Sequence, residues 1–174
     1  MKKIITLLII CLFLFCGCTS TLNKYKINED DKYLMKDNAS GGNKMDDILT
    51  IDKIWTTRWL GSEKLVFDFS NGEQKSTMIP YYTIKFNEDK TNFVLTIFHT
   101  VEGDISLPQT SECKYISQMS AAKGDDCIIY DINILPDMKV AVDEINPSGQ
   151  LVVNIKKIED NIRYLLQKKT PLTY

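Results

Sequence analysis

The stretch KLVFDFSNG (residues 64–72) decides the fold class. Its large apolar side chains at Leu65, Phe67 and Phe69 alternate with residues on the opposite face, which is the period of a half-buried strand. The stretch ends at Asn71-Gly72, a dipeptide that favours a tight turn between strands. Residues 64–72 therefore predict a strand with one buried face, followed by a turn.

Segments of similar character lie on both sides of this strand, and turn residues separate them. They are residues 48–59, 79–86, 93–100, 128–134, 140–142 and 151–158. About seven strands with turns every eight to twelve residues are typical of a β-sandwich or barrel. We therefore expect an all-β fold, a single small β-sandwich over residues 47–158, with a short helix around residues 115–122.

The C-terminal residues 159–174 are predicted to form a tail or one short helix. Within them, residues 160–168 place Ile162, Leu165 and Leu166 on one helical face. This spacing is typical of a helix that buries one side.

The N-terminus has the pattern of an export signal. Lys2 and Lys3 precede an apolar run over residues 4–15 that is interrupted only by Thr6. This run has roughly twelve residues, whereas a membrane-spanning helix needs about twenty. A positive start, a short apolar segment and small residues after it predict a cleaved signal over residues 1–17.

The end of this signal, Phe15-Cys16-Gly17-Cys18, resembles the bacterial lipobox. In a lipobox, a small residue directly precedes the cysteine that receives lipid, and Gly17 and Cys18 match this pattern. A frame at Cys16 is the alternative, but it would put the bulky Phe15 at the small position. The resemblance implies that signal peptidase II cleaves after Gly17 and that Cys18 carries a diacylglycerol anchor, with palmitate among its typical acyl chains, in a membrane outside the cytoplasm.

A polar segment separates this anchor from the predicted domain. Residues 18–46 lack hydrophobic periodicity and are rich in Asn, Asp and Lys, so they predict a flexible linker. Removing residues 1–17 takes away Lys2 and Lys3 and no acid, which changes the formal net charge from −2 to −4. A mildly acidic chain without a basic run is poorly suited to nucleic acid, because that affinity comes largely from phosphate contacts.

Two cysteines remain in the predicted domain after lipidation of Cys18. In an exported protein Cys113 and Cys127 could form one disulfide, which we predict here. Such a bond would stabilise the fold by about 3 kcal/mol in the chain-entropy view. Two free thiols in a reducing environment are the alternative.

Two blocks of the chain resemble the AMIN-like domain family. Residues 58–70 (RWLGSEKLVFDFS) are similar to its opening turn and strand, and residues 139–155 (KVAVDEINPSGQLVVNI) to its closing strand, Pro turn and strand. The resemblance implies a β-sandwich of the AMIN type over most of residues 48–158. It also implies location in the cell envelope and an association with cell-wall polymers.

Sequence motifs give little support for catalysis. The single histidine, His99, lies in phase with Phe93, Leu95 and Ile97 and is expected to face the core. No nucleophile elbow, phosphate loop or H-E-x-x-H motif occurs in the sequence, and we predict no enzyme, no cofactor and no metal site. A hydrolase that uses His99 is the weakest alternative.

Aromatic residues give the best candidate for a binding surface. Trp55, Trp59, Tyr81 and Tyr82, with Arg58 beside them, are predicted to cluster at strand ends or in adjoining strands. Aromatic rings could pack against the C–H faces of sugars, although both tryptophans could instead fill the core. Because strand side chains alternate, only one of the two adjacent tyrosines is expected to face a ligand.

The sequence thus predicts a lipid-anchored envelope lipoprotein whose domain binds cell-wall glycan or peptidoglycan without catalysis. The predicted partners are membrane lipid, through Cys18, and peptidoglycan or an envelope protein. The main alternative is a protein-interaction or assembly lipoprotein, in which a sheet edge or apolar patch receives a protein partner.

Overall fold

The alternating stretch at residues 64–72 falls mainly in the middle strand of a sheet. The structure is a computed structural model that describes residues 38–59 and 61–158. In it, Leu65, Phe67 and Phe69 are at most 1% exposed and lie on one face of a strand. The half-buried strand that their spacing predicts is confirmed.

The described residues form eleven strands and two short 3₁₀ turns. The strands are β1 Ala39–Gly41, β2 Leu49–Trp59, β3 Ser62–Asn71, β4 Gln74–Lys75, β5 Tyr82–Phe86, β6 Asn92–Phe98, β7 Thr100–Glu102, β8 Ile116–Lys123, β9 Cys127–Ile134, β10 Met138–Ile145 and β11 Gln150–Lys157. The 3₁₀ turns are Thr110–Glu112 and Asn146–Ser148. The sequence predicts about seven strands, and the structure contains four more. The additional strands include short ones such as β1, β4 and β7.

The strands form two sheets that pack face to face. The five-stranded sheet has the order β1-β5-β6-β9-β8, and the six-stranded sheet has the order β10-β11-β3-β2-β7, with β4 paired to β3. All pairs are antiparallel except β2 with β7. The all-β sandwich that the sequence predicts is therefore the observed architecture.

The core lies between the two sheets and consists of their facing side chains. Phe67 on β3 and Tyr130 on β9 meet there with ring centroids 5.0 Å apart. Burying a large apolar side chain stabilises a fold by about 1.5–3 kcal/mol, so this layer holds the sheets together. Other members of the core include Ile54, Leu65, Phe69, Ile84, Phe93, Leu95, Ile97, Ile128, Ile132, Val140, Val153 and Ile155.

A buried carboxyl group joins the two sheets at one rim. Glu63 on β3 is 0% exposed and accepts hydrogen bonds from the backbone N–H groups of Lys114 (2.8 Å), Tyr115 (2.6 Å) and Ile116 (3.2 Å). The hydroxyl of Tyr115 donates to the carbonyl of Gly61 at 3.1 Å. Burying a polar group is costly unless hydrogen bonds compensate, and three donors compensate here. Glu63 therefore fixes the start of β8 against the β2–β3 hairpin.

The fold begins earlier than the predicted boundary at residue 47. β1 pairs with β5, and a Cβ atom at Gly41 would overlap the hydroxyl of Tyr82 and the carboxylate of Glu144. The backbone N–H of Gly42 donates to that carboxylate at 2.8 Å. The linker prediction is therefore wrong for residues 39–43, which form β1 and an isolated bridge from Asn43 to Pro80. Their polar composition gives no sign of a strand, because β1 is held by backbone hydrogen bonds and needs few apolar side chains.

The short helix predicted around residues 115–122 is also wrong. These residues belong mostly to β8, which pairs with β9 from Ile116 opposite Ile134 to Lys123 opposite Ile128. The signal at residues 1–17, the lipidation site Cys18 and the helix predicted at residues 160–168 lie outside the described residues. No helix among the described residues is long and apolar enough to span a bilayer.

Replacing Glu63 tests its role at the rim. We expect Glu63→Gln to lower the free energy of unfolding by about 1–3 kcal/mol, because the new amide N–H₂ would face backbone donors. Denaturant unfolding followed by tryptophan fluorescence measures this change. The matched control is Glu88→Gln in the exposed β5–β6 turn, which should change stability by less than about 0.5 kcal/mol. Equal stability of the two variants would contradict the role of Glu63 in fixing the start of β8.

Candidate ligand-binding site

The β2–β3 hairpin presents an exposed tryptophan at its tip. β2 ends at Trp59, whose partner across the hairpin is Ser62, the first residue of β3. Gly61 in the connecting turn has φ of +77°, which glycine adopts without steric cost. The hydroxyl of Ser62 donates to the carbonyl of Trp59 at 2.7 Å and closes the turn. Trp59 is 65% exposed, so its ring is accessible to a ligand.

Two cationic side chains line the same pocket as this tryptophan. Nη2 of Arg58 donates to the carbonyl oxygen of Glu112 at 2.7 Å, which holds the guanidinium beside the first 3₁₀ turn. Nζ of Lys114 lies 5.0 Å from the ring centroid of Tyr115, within the range of a cation–π contact. An open surface pocket of about 290 Å³ is lined by Arg58, Trp59, Gly61, Ser62 and Lys114. We call these five residues the hairpin-tip pocket.

The chemistry of the hairpin-tip pocket suits an anionic ligand with a flat apolar surface. Its lining includes two cations, one hydroxyl and one exposed indole, and no acidic residue. An indole ring packs against apolar C–H surfaces, and guanidinium groups form strong hydrogen bonds to carboxylates. Arg58 and Trp59, both predicted from the sequence, are brought together here.

Trp55 lies on the same strand but outside this pocket. It lies four positions before Trp59, which corresponds to roughly 13 Å along a strand. Its indole N–H donates to Oδ2 of Asp68 at 2.8 Å, and Nζ of Lys53 lies 5.7 Å from its ring. Asp68 also accepts from Nε2 of Gln150 at 2.7 Å. Trp55 is therefore a half-buried, hydrogen-bonded residue of the outer sheet face.

The two tyrosines lie in the other sheet, so the predicted single aromatic cluster is wrong. Tyr82 is 5% exposed, and its hydroxyl donates to Oε1 of Glu144 at 3.0 Å. Burial, reinforced by Glu144, raises the pKa of this phenol well above its usual range. Tyr81 is half-exposed, and its ring centroid lies 5.4 Å from that of Phe98. Nζ of Lys44 lies 5.5 Å from the centroid of the same tyrosine ring. One tyrosine faces inward and one outward, as strand alternation predicts.

The predicted disulfide between Cys113 and Cys127 is wrong, since both thiols are free. Cys127 begins β9, whereas Ile116 pairs with Ile134 at the opposite end of the same strand. Seven residues of strand span roughly 23 Å, and the three residues from Cys113 to Ile116 can recover at most ~11 Å. A disulfide needs Cα atoms within about 7 Å. Burial raises the pKa of the Cys113 thiol, and the nearby Glu63 carboxylate raises it further.

His99 does not face the core, so that expectation is also wrong. β6 ends at Phe98, and His99 follows it with φ of +51° and a side chain that is 40% exposed. Its Nδ1 atom lies 3.0 Å from Oδ2 of Asp126. Within the described residues, no hydrogen bond joins the ring to a serine, threonine or cysteine. In the same part of the chain, no group of three or more His, Cys, Asp or Glu side chains could hold a metal ion.

The site has to be interpreted from its own chemistry, since no protein-family model, no curated protein and no solved structure matches the chain. The lipobox and AMIN-like resemblances therefore stay predictions. Cys18, which would carry the lipid, lies outside the described residues.

Sequence reasoning missed Gly61, Ser62 and Lys114 as members of the pocket. Gly61 and Ser62 could have been found, because a hairpin turn directly after Trp59 must lie beside its ring. Lys114 is 55 positions away from Trp59 in the chain and arrives there through the backbone contacts of Glu63. No local pattern in the sequence marks that contact.

Proposed function

We propose that this chain is a cell-envelope lipoprotein, anchored outside the cytoplasm through acylated Cys18. Its β-sandwich is a non-enzymatic module that binds cell-wall glycan of the peptidoglycan type. The observation that carries this proposal is the exposed indole of Trp59, which lines one pocket together with the cations Arg58 and Lys114. The hairpin-tip pocket is open rather than enclosed, as expected for a site that binds part of a large polymer.

Each part of the pocket has a counterpart in peptidoglycan. The sugar rings of the glycan present C–H faces that can lie against Trp59. Its stem-peptide carboxylates, and the lactyl carboxylates of sugars that carry no peptide, can pair with Arg58 and Lys114, and Ser62 can bind a sugar hydroxyl. The ion pairs are exposed to solvent, so salt should weaken them, whereas the indole contact should persist.

The linker sets how far the module can reach from the membrane. Residues 18–37 precede the first described residue, Asn38, and their polar composition is typical of a flexible chain. Twenty such residues have a root-mean-square span of roughly 25 Å. This span would let the hairpin-tip pocket search a polymer near the membrane while Cys18 stays anchored.

A hydrolase is the weaker interpretation. The chain has one histidine, His99, and its described hydrogen bonds link it to Asp126 and the neighbouring backbone. General-base catalysis requires a nucleophile or water positioned by that ring, and the hairpin-tip pocket is lined by other residues. Binding, rather than cleavage, is the function that the pocket supports.

Lipid anchoring is tested at Cys18. In a bacterium that processes lipoproteins, we expect labelled palmitate to be incorporated into the wild-type protein and an inhibitor of signal peptidase II to leave residues 1–17 attached. Cys18→Ser should abolish labelling, whereas Cys16→Ser, the matched control, should keep it. Labelling that depends on Cys16, or an unmodified mature N-terminus, would contradict this part of the proposal.

Glycan binding is tested by sedimentation with purified peptidoglycan. We expect the mature lipoprotein, kept soluble in detergent, to be retained, and Trp59→Ala to weaken binding about tenfold, which corresponds to about 1.4 kcal/mol. Lys114→Ala should weaken binding mainly at low salt. The control is Met78→Ala, which removes another exposed apolar side chain (46% exposed) away from the pocket. Absence of retention at every salt concentration would sink the glycan proposal.

The edge of the five-stranded sheet favours protein interaction as a second candidate function. Among the described residues, β8 pairs with β9 on one side only. Residues 116–122 contain no charge and no proline, and most are exposed. Natural edge strands are usually protected by charged residues or proline, because the free N–H and C=O groups of an unprotected edge can pair with another chain. A bulge between Ile116 and Gln118 leaves residues 118–123 regular and able to receive an added strand.

Site-specific crosslinking distinguishes this second function. A photo-crosslinking residue at Ser120 should trap one envelope protein of fixed mass in cells, and Ala122→Lys should reduce that product because a charge protects the edge. The control position is Lys85, an exposed residue of β5 in the same sheet. Equal products from both positions, or none, would count against partner binding at β8.

A further inference from the structure

The outer face of the six-stranded sheet contains a buried patch that is separate from the core. Val66 on β3, Ala141 on β10 and Val152 on β11 are 3%, 3% and 4% exposed. None of them belongs to the core cluster between the sheets. Their immediate neighbours Phe67 and Val153 do belong to it, and strand side chains alternate between faces. These three apolar side chains therefore point away from the core and are nevertheless shielded from solvent.

Polar residues beside them are equally buried. Lys139 on β10 is 3% exposed and Asn154 on β11 is 6% exposed. Nδ2 of Asn154 donates to Oδ2 of Asp143 at 2.7 Å on the same face. Lysine is almost never fully buried on an uncovered surface, least of all on an edge strand such as β10. We call these residues, Val66, Lys139, Ala141, Val152 and Asn154, the outer patch.

The burial is confined to this patch. Ile145 at the end of β10 is 42% exposed, and Trp59 at the end of β2 is 65% exposed. The strands in extended contact with β3, β10 and β11 are chiefly their neighbours within the same sheet, which lie beside the patch rather than over it. The described part of the chain therefore contains no strand that covers the outer patch.

We propose that residues 159–174 cover the outer patch as an amphipathic segment that folds back from the end of β11. The chain leaves β11 at Lys157, and the N–H of Ile158 still donates to the carbonyl of Asp137 at 2.8 Å. The described chain therefore ends beside Asp137, two positions before Lys139 on β10, at one end of the outer patch. No other stretch outside the described residues is attached so close to this face.

The length and spacing of the segment fit the patch. Residues 160–168 would make a helix of roughly 14 Å, and the outward-facing positions of β10 from Lys139 to Asp143, which include the patch residues Lys139 and Ala141, extend over roughly 13 Å. Ile162, Leu165 and Leu166 fall on one helical face, which would rest on Val66, Ala141 and Val152. The polar segment at residues 19–37 has no comparable apolar face.

Charge complementarity also supports a segment that runs back along the outer patch from the end of β11. Glu159 and Asp160 begin the segment, and the cations Lys139 and Lys156 lie at the end of the sheet from which it leaves. Acidic residues also favour the first turn of a helix through its dipole. Further along, Arg163 would lie on the side of Asp143. The segment therefore closes the outer sheet face and leaves the hairpin-tip pocket as open surface.

Accessibility of a cysteine in the patch tests this proposal. Ala141→Cys is made in the mature lipoprotein with Cys113→Ser and Cys127→Ser, and labelling by a maleimide is timed. We expect Ala141→Cys to react roughly tenfold or more slowly than the control Ile145→Cys, because the cover must open first. Deleting residues 159–174 should make the two rates equal, and Leu165→Asp should have the same direction of effect.

Crosslinking keeps the proposal testable if the shortened chain fails to fold. In the otherwise intact chain, Leu166→Cys should be joined to Ala141→Cys by a short bifunctional maleimide. Gln167→Cys, which falls on the opposite helical face, should not be joined.

Several results would overturn the proposal. They are fast labelling of Ala141→Cys in the intact chain, slow labelling that persists after deletion of residues 159–174, and equal crosslinking from residues 166 and 167. Faster labelling only after deletion of residues 19–37 would make the linker the cover instead. Faster labelling only on dilution, together with dissociation of a dimer, would make a second copy the cover.

Discussion

The packing of β3 against β9 is the contact on which the rest of the sandwich depends. Phe67 and Tyr130 meet at 5.0 Å in the middle of the core, and strand alternation then assigns every neighbour to a face. With Phe67 inward, Val66 must face outward, and the register carries this choice to Trp55 on β2 and Val152 on β11. One buried aromatic contact thus fixes which side chains line the core and which remain for binding.

Polar contacts join the rims of the two sheets. Glu63, Glu102 and Glu144 of the six-stranded sheet each accept hydrogen bonds from the five-stranded sheet or its approach. Burial, helped by Glu102 and Glu144, raises the pKa of Tyr130 and Tyr82, so both phenols keep the proton that they donate. These contacts are directional, whereas apolar packing is not, so they set the positions of the loops. The hairpin-tip pocket lies at the rim that Glu63 fixes.

The sequence is informative where side chains alternate and uninformative where pairing is decided by distant backbone. Residues 65–69 and 128–134 carry the period of two and were predicted correctly as strands. β8 was predicted as helix because an edge strand exposed on both faces has no apolar alternation, and only its pairing with β9 identifies it. The same limit applies to the site: Arg58 and Trp59 are adjacent and were found, whereas Lys114 arrives through Glu63. The disulfide prediction is wrong for a related reason. Cys113 and Cys127 are close in the sequence, but they lie towards opposite ends of the β8–β9 hairpin.

The distribution of burial on the six-stranded sheet explains why a ligand would meet this module at its tip. The middle of its outer face is shielded from solvent at Val66, Ala141 and Val152. Trp55, although aromatic, is held there by Asp68 and is only half exposed. Trp59 lies beyond the shielded region, at the end of the strand, where it lines a pocket with Arg58 of the same hairpin and with Lys114. The indole of Trp59 is exposed because the hairpin extends past the shielded part of the sheet. The proposed binding surface therefore depends on strand length as much as on residue type.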